Sequence, residues 1–179
     1  MSDDFNVPVP TDELDARPTF EPMPAGWYAS TLQGGVQTVD GKKLDSTGNP
    51  TWKGLRAPFE GFTSRDGKVT ERSRNYQVTT YSDNAKAKAI GKQQLTQLAR
   101  AFGLTEDTVD GEGKPAQRMT ATSPEELATQ LNAVAGSPCD VYIKIVKRKR
   151  DGVVVIRDDG KGPVLDNEIS AVAPLGQGK

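Results

Sequence analysis

The sequence predicts a mainly β protein with inserted helices, of the α+β class. In several stretches apolar and polar residues alternate with the two-residue period of a β-strand, and glycine-containing turns separate these stretches. After the third stretch the period changes twice to that of an amphipathic helix. The predicted order is three strands, two helices, two strands and a short last strand.

The stretch 137–158 carries the clearest strand pattern and ends in a predicted hairpin. Asp151-Gly152 is a strong signal for a two-residue turn, and residues 153–156 would supply the return strand. The two faces of the first strand differ in chemistry. One face would be aliphatic and the other aromatic and cationic: Val141, Ile143 and Ile145 against Tyr142, Lys144 and Arg148.

Three strands are predicted before the helices, as a meander. They run from Trp27 to about Leu32, from Trp52 to Thr63 and from Arg72 to Tyr81. Gly34-Gly35 is expected to interrupt the first strand, and the turn-rich stretch 40–50 is expected to be a loop. Alternation sorts the side chains of the second and third strands into faces: Leu55, Ala57 and Phe59 against Trp52 and Arg56, and Arg74, Tyr76 and Val78 against Gln77, Thr79 and Tyr81.

Two helices are predicted in the middle of the chain. The first should be capped by Ser82 or Asp83 and should end at Gly103. The second should start at the capping box Ser123-Pro124-Glu125-Glu126 and stop at Gly136. Residues 104–122, polar and glycine-rich, are predicted to be a loop. The apolar stripe of the first helix is Ala87, Ile90, Leu95, Leu98, Ala101 and Phe102.

This order of elements favours a five-stranded Greek-key barrel of the OB type, with two helices between strands 3 and 4. The alternative is an open α+β sheet with the helices packed on one face. The domain is predicted to span residues 25–175. Residues 1–24, acidic and rich in proline, are predicted to be a disordered arm, and residues 176–179 a frayed tail.

The net charge of −1 conceals an asymmetry along the chain. Residues 1–22 contain six acidic residues and only Arg17, a net charge of −5, so the rest of the chain carries +4. A mildly basic body with an acidic arm fits a protein that binds nucleic acid while limiting non-specific contacts. A solubility role for the arm fits equally well.

Composition excludes several classes of function. The chain has no histidine and a single cysteine, Cys139, which excludes most zinc sites and all histidine-based catalysis. The lone cysteine also indicates a reducing compartment. No run of about 18 apolar residues and no secretory signal are found, so we expect a cytoplasmic protein, in the host cytoplasm if a phage encodes it.

No remaining motif predicts an enzyme, a metal site or a cofactor. Gly111 to Lys114 lack the flanking strand and helix that a phosphate-binding loop needs. Asp158 and Asp159, with Asp166 and Glu168, could in principle ligate a metal. Neighbouring aspartates on a strand point to opposite faces, so a solvated turn explains them better.

Cations and aromatic residues recur together along the predicted strands. Stacked rings and phosphate-binding cations are what single-stranded nucleic acid requires. Core packing or a solvated sheet face is the alternative explanation for each residue. We expect Trp27 and Phe59 in the core, and Trp52, beside Arg56, as the best stacking candidate. The candidate nucleic-acid-binding residues are Trp52, Arg56, Arg72, Arg74, Tyr76, Tyr142, Lys144, Lys147, Arg148 and Arg150.

The chain also resembles a phage and prophage family, classed as a domain of unknown function, that is linked to OB-fold single-stranded DNA-binding proteins. MPAGWYAS (23–30) resembles its Pro-x-Gly-x-Tyr first strand, and AKAIGKQQLTQLARAFGL (87–104) resembles its Ile-Gly-containing helix. SPCDVYIKIVKRK (137–149) and NEISAVAP (167–174) are similar to its last two strands. At Ala171-Val172 this chain lacks the aromatic residue that the family usually has. It also lacks the acidic C-terminal tail of some phage single-strand binders.

These observations lead to one leading hypothesis and two others. The first is a non-catalytic protein that coats single-stranded DNA in phage replication or recombination. The resemblance implies replication or recombination proteins as further partners and leaves homo-oligomers open; no membrane partner is expected. The second is a protein-interaction module, such as an inhibitor of a host enzyme or a virion component. The third, a metal-dependent nuclease, needs a carboxylate cluster that the sequence does not show.

Overall fold

The main sheet is built from antiparallel strands that follow the alternation in the sequence. The structure is a computed structural model and describes residues 21–179; the predicted arm up to residue 20 lies outside the described residues. The protein is mainly β with two described helices, as predicted. In chain order the elements are β1 Gly26–Leu32, β2 Gln37–Asp40, β3 Trp52–Ser64, β4 Val69–Ser82, α1 Ala85–Ala101, β5 Thr105–Val109, β6 Pro115–Met119, α2 Pro124–Ala133, β7 Pro138–Lys147, β8 Lys149–Arg150, β9 Val153–Val154 and β10 Leu165–Pro174.

The long strand β3 is the centre of this sheet. One of its edges pairs with β1 along the second half of β3 and with β2 along the first half. Its other edge pairs with β4. The sheet continues from β1 to β7 and from β7 to β10. The order from one side to the other is therefore β10, β7, then β1 with β2, then β3 and β4.

The break between β1 and β2 lies at the predicted glycine pair. Gly35 adopts a positive φ of 91°, which a glycine tolerates without steric cost. Asn132 of α2 satisfies the free backbone groups there, because its side-chain oxygen accepts from Gly35 N and Val36 N and its amide donates to Val36 O. The second helix thus fixes the bend.

The two outer strands, β4 and β10, approach each other without forming a hydrogen-bonded ladder, so the sheet stays open. Side chains bridge this seam: Arg74 Nη2 lies 3.7 Å from Asp166 Oδ1. Residues 21–24 add a second bridge. Asn167 accepts from Met23 N at 2.7 Å and donates to Met23 O at 2.9 Å, and Met23 is buried. The packed part of the chain therefore begins before residue 25, where we had placed the domain boundary.

The core lies on the face of the sheet that alternation predicts. Leu55, Ala57 and Phe59 of β3 are fully buried, as are Val141 and Ile143 of β7. Burying a large aliphatic or aromatic side chain stabilises the fold by about 1.5–3 kcal/mol, so this face supplies most of the driving force. Phe59 was predicted to be a core residue, and this is confirmed.

Helix α1 is capped differently from the prediction. Asn84, and neither Ser82 nor Asp83, accepts from Lys86 N and Ala87 N, and Gly103 follows the helix with a φ of 70° as predicted. The buried stripe is shifted as well. Ile90 is 47% exposed, whereas Gly91 is buried against β4. A Cβ at position 91 would lie 2.2 Å from Thr79 O, so the glycine sets how closely the helix packs.

The stretch 104–122 contains a hairpin where the sequence predicted a loop. Strands β5 and β6 pair from Thr105↔Met119 to Val109↔Pro115. The turn is closed by Asp110, whose side chain accepts from Glu112 N and Lys114 N. The sequence pattern missed these strands because most of their side chains are polar and exposed.

Helix α2 starts at the predicted capping residue. Ser123 Oγ accepts from Glu126 N at 3.1 Å. The Glu126 carboxylate accepts from Thr122 N and from Thr122 Oγ1, both at 2.7 Å, instead of from the N–H of Ser123 that a capping box would use. These bonds to Thr122 lower the pKa of Glu126 below its ordinary value.

The predicted hairpin over 137–158 is smaller than expected. The partners of β7 are β1 and β10, and the two-residue turn joins only β8 to β9. Asp151 and Gly152 have φ values of 52° and 82°, the pair of positive angles that a type I′ turn requires. The turn prediction is confirmed, but the return strand does not pair with β7. Within residues 21–179 no helix is long and apolar enough to cross a membrane.

Candidate nucleic-acid interface

The outer face of the main sheet, opposite the core, carries four of the ten predicted site residues, Trp52, Arg56, Tyr142 and Lys144. Its side chains come from alternate positions on β3 and β7, the positions between the buried residues. They form two separate groups. The first, which we call the Trp52 group, consists of Trp52 and Arg56. The second, the Tyr142 group, consists of Trp27, Tyr142 and Lys144.

In the Trp52 group the indole is held in place from both ends. Trp52 Nε1 donates to Thr79 Oγ1 at 2.9 Å. The ring covers Gly54, where a Cβ would lie 2.3 Å from Trp52 Cη2, so only glycine leaves room for it. The other edge of the ring passes Gly41. Trp52 is half-buried, so part of a fixed, flat ring faces solvent.

Arg56 is the cation that shares the outer face with this indole. Arg56 is half-buried two residues beyond Gly54, opposite Gln77 of β4, and forms no ion pair within residues 21–179. Lys53 and Tyr81 are exposed and directly opposite each other in the register of β3 and β4, but alternation along β3 turns this pair to the face opposite Trp52. The sequence pattern placed Tyr81 on the face of Gln77 and Thr79, but the extra residue of β4 between Thr79 and Tyr81 breaks that alternation.

The Tyr142 group pairs two aromatic rings across neighbouring strands. Trp27 of β1 is opposite Tyr142 of β7, and their ring centroids are 5.5 Å apart in an edge-to-face arrangement with an interplanar angle of 75°. Trp27 is half-buried on this outer face, so its prediction as a core residue is wrong. Lys144, two residues along the same face, lies 3.1 Å from Glu168 Oε1, which partly offsets its charge.

A run of four cations, which we call the cation run, extends beyond the Tyr142 group where β7 leads into β8. Lys147, Arg148, Lys149 and Arg150 are all exposed. Arg148 is 3.2 Å from Asp166 Oδ2, whereas the other three have no carboxylate within ion-pair distance in the described part of the chain. The three unpaired positive charges, on Lys147, Lys149 and Arg150, are well suited to contact phosphates.

Arg72, Arg74 and Tyr76 point to the other side of the sheet, so the structure does not bring them to the outer face. Alternation correctly placed Arg74 and Tyr76 with Val78, but that face is the interior. Tyr76 is only 2% exposed and cannot stack on a base. Burial, and secondarily the Glu168 carboxylate, raise the pKa of the Tyr76 hydroxyl.

Both arginines lie at the seam between β4 and β10. Arg74 pairs with Asp166, and its Nε is buried with no hydrogen-bond partner. Arg72 Nη2 donates to Glu21 O at 3.0 Å. Arg74 therefore links β4 to β10, and Arg72 links β4 to the segment before β1. The two-residue alternation of a strand cannot distinguish such a structural role from ligand binding.

The two groups lie far apart on the sheet. Trp52 begins β3, whereas Trp27 and Tyr142 are level with its last residue, Ser64. At about 3.3 Å per residue these levels are roughly 40 Å apart along the strand. Trp52 is therefore brought together with Arg56, and Tyr142 with Lys144, while the cation run follows at the end of β7. The two groups do not form one cluster.

Two observations concern metal ligands and the cysteine in the described residues. Within residues 21–179 no three histidine, cysteine, aspartate or glutamate side chains are grouped so that they could hold a metal ion. Cys139 is fully buried, and burial, followed by the charge of Asp140, raises the pKa of its thiol to about 12. The thiol is therefore protonated at neutral pH and is not a nucleophile.

Comparisons with known proteins add no assignment to this geometry. No protein-family model, no curated protein and no solved structure matches the chain.

Proposed function

We propose that the protein binds single-stranded DNA without cleaving it, by stacking bases on the outer face of its sheet and by holding phosphates with the cations beside them. One observation carries the proposal. An anchored, partly exposed indole lies beside an unpaired Arg56, and an exposed cation run lies at the other end of the same sheet.

The order of the long strands supports an OB-like barrel as the scaffold. If β1 with β2 counts as strand 1, then β3, β4, β7 and β10 are strands 2 to 5, and the helices lie between strands 3 and 4. An OB barrel is only partly open, and here β4 and β10 approach each other across the seam. We propose that this seam is the incompletely closed side of such a barrel.

The location of the cationic and aromatic groups fits this scaffold. Oligonucleotides bind OB folds on the face of strands 2 and 3 and at the loops that follow strands 1 and 4. The Trp52 group lies on β3 and is bonded to Thr79 of β4, the proposed strands 2 and 3. Most of the cation run lies in the loop between β7 and β10, the proposed strands 4 and 5.

Fluorescence anisotropy with labelled oligo-dT tests the proposal. We expect a Kd of about 1 μM or tighter at low salt, and weaker binding to a duplex of the same length. Arg56→Ala should weaken binding, whereas Arg118→Ala, which removes the same charge from the exposed β5–β6 hairpin, should not. Equal affinity for duplex, or equal effects of the two substitutions, would contradict the proposed interface.

A specific observation favours the alternative of a protein-interaction module. A groove of about 460 Å³ between α1, β6 and α2 is largely apolar, with Leu95, Met119 and Leu127 in its lining. Lys88 and Lys92 also line it, so an acidic peptide with apolar side chains would fit. If oligo-dT does not bind, while a partner captured from nuclease-treated lysate is lost in K88E/K92E, this alternative replaces the first proposal.

A further inference from the structure

Residues 175–179 fold back over the outer face instead of fraying, contrary to the prediction from sequence. Gln177 N donates to Pro174 O and closes a turn after β10. Gly178 is buried: its N–H donates to Asp140 Oδ2 at 2.8 Å, and its carbonyl accepts from the Arg65 guanidinium. Trp27 Nε1 donates to the carbonyl oxygen of Lys179 at 2.5 Å.

The chain at Gly178 lies against the face of the Trp27 indole. A Cβ at position 178 would be 2.6 Å from Trp27 Cε3, 2.7 Å from Cδ2 and 2.9 Å from Asp140 Oδ2. The φ of Gly178 is outside the left-handed region, so contact with Trp27 and Asp140, and not backbone conformation, is what requires a glycine here. Any side chain at position 178 would collide with the Trp27 ring.

The groups that hold this segment also match what a nucleotide offers. A flat peptide unit covers the indole, where a base would stack. The guanidinium of Arg65 binds a carbonyl oxygen, where a phosphate oxygen would bind more strongly because it is charged. Asp140 accepts from a peptide N–H, as it could from a base N–H. Arg65 is next to Trp27 because Tyr28 pairs with Ser64.

We propose that Trp27 and Arg65 form a further nucleotide subsite, which residues 176–179 occupy while no DNA is bound and which single-stranded DNA takes over by displacing them. This inference rests on the proposed function and extends it. It assigns to Trp27 and Arg65 a role that was not predicted from sequence, and it makes residues 176–179 a competitor of the ligand.

The test uses a protein in which Trp27 is the only tryptophan. The chain has two tryptophans, so Trp52→Phe leaves Trp27 as the sole indole and keeps a ring at position 52. In this background Gly178→Leu should displace the segment through its clash with the indole. Gln177→Ala, at an exposed neighbouring position, is the matched control.

Two readouts are expected to change together. Acrylamide quenching of Trp27 fluorescence should rise in the Gly178→Leu protein, because the ring loses its cover. The affinity for oligo-dT should rise roughly tenfold, the effect of removing a competitor held by about 1.4 kcal/mol of net hydrogen bonding. Arg65→Ala added to Gly178→Leu should abolish the gain. A deletion of residues 176–179 should reproduce both changes if the leucine variant folds poorly.

The outcomes separate the inference from the function on which it rests. If the parent binds oligo-dT, and Gly178→Leu increases quenching without changing the affinity, the segment is only a structural cover and the subsite is refuted. If neither readout changes, the segment does not cover Trp27 and the inference is also refuted. If neither the unsubstituted protein nor any variant binds oligo-dT, the proposed function fails, and the subsite fails with it.

Discussion

Two tryptophans show how much the environment of a single residue decides its role. Trp52 is anchored to Thr79 and lies over Gly54, so its ring keeps one orientation. Trp27 lies on the same outer face but is covered by Gly178. Sequence assigned Trp52 to the surface and Trp27 to the core. Trp27 is on the outer face because β1 pairs with β7, and the alternation within one strand does not reveal which strand it will pair with.

Replacing Trp52 should weaken the binding of oligo-dT more than it weakens the fold. Trp52→Ala removes a stacking partner worth roughly 1–3 kcal/mol per base, which raises the Kd about 5- to 150-fold. Trp52→Phe keeps a ring but loses the bond to Thr79, so we expect an intermediate Kd. Anisotropy titrations give the affinities, and urea unfolding of each variant shows whether stability has changed. An unchanged Kd for Trp52→Ala would exclude Trp52 from the interface.

Burial should make Cys139 unreactive in the folded protein. The thiol is fully buried, and its pKa is raised to about 12, so almost no thiolate forms near pH 8. We expect Ellman's reagent to react with the protein at once in urea and only slowly without it. Rapid reaction of the native protein would show that β7 opens readily or that Cys139 is exposed.

At the scale of single elements, local sequence signals account for most helix ends and turns. The capping serine of α2 and the type I′ turn after β8 are where the sequence predicted them, because these signals act within a few residues. The hairpin β5–β6 escaped prediction because most of its side chains are polar and exposed. In helix α1 the close contact of Gly91 with Thr79 determines which face is buried, and this leaves Ile90 of the predicted apolar stripe exposed.

The start of α2 gives a measurable stability effect. Ser123→Ala removes the acceptor of Glu126 N and should lower the free energy of unfolding by about 1 kcal/mol. Helix α2 contributes Leu127 and Leu131 to the core, so a weaker helix start should lower the stability of the whole domain. Urea unfolding measures it. Thr129→Ala, at a helical position away from the cap, serves as the control, and equal losses in both variants would rule out a capping effect.

Acid should weaken the same helix start through Glu126. The bonds from Thr122 lower the pKa of the folded-state carboxyl, so its stabilising contribution is complete above the unfolded-state pKa of about 4.3 and is lost as pH falls through the folded value. Glu126→Gln should therefore lower the melting temperature at pH 7 and have a smaller effect at low pH. An equal decrease at both pH values would contradict this linkage.

At the scale of the whole molecule, side chains and the segment before β1 bridge the seam between β4 and β10, where the two strands are not hydrogen-bonded to each other. Asn167 is central, because it bonds both backbone groups of the buried Met23. Asn167→Ala leaves those two groups without their partner, and we expect a loss of about 1–3 kcal/mol in urea unfolding. Asn75→Ala, on the exposed side of β4, should change stability little. Similar losses of stability in the two variants would contradict a special role of the bonds between Asn167 and Met23.

The sequence predicted the class of fold and most strands, but not their three-dimensional neighbours. Alternation identified Leu55, Ala57 and Phe59 as one face, and burial makes that face the core. Alternation cannot tell which of two faces is covered, so Tyr76 was assigned to the ligand and is buried. Contacts between distant parts of the chain, such as Gly178 on Trp27, leave no periodic signal at all.

The most direct test of single-stranded DNA binding is the salt dependence of oligo-dT affinity. If Arg56 and the three unpaired members of the cation run each hold one phosphate, log K should fall with log salt concentration with a slope of about −3. We predict clear binding at about 50 mM salt, with this slope as salt is raised. No binding at that concentration, or an affinity that does not change with salt, would contradict the proposed role of this sheet.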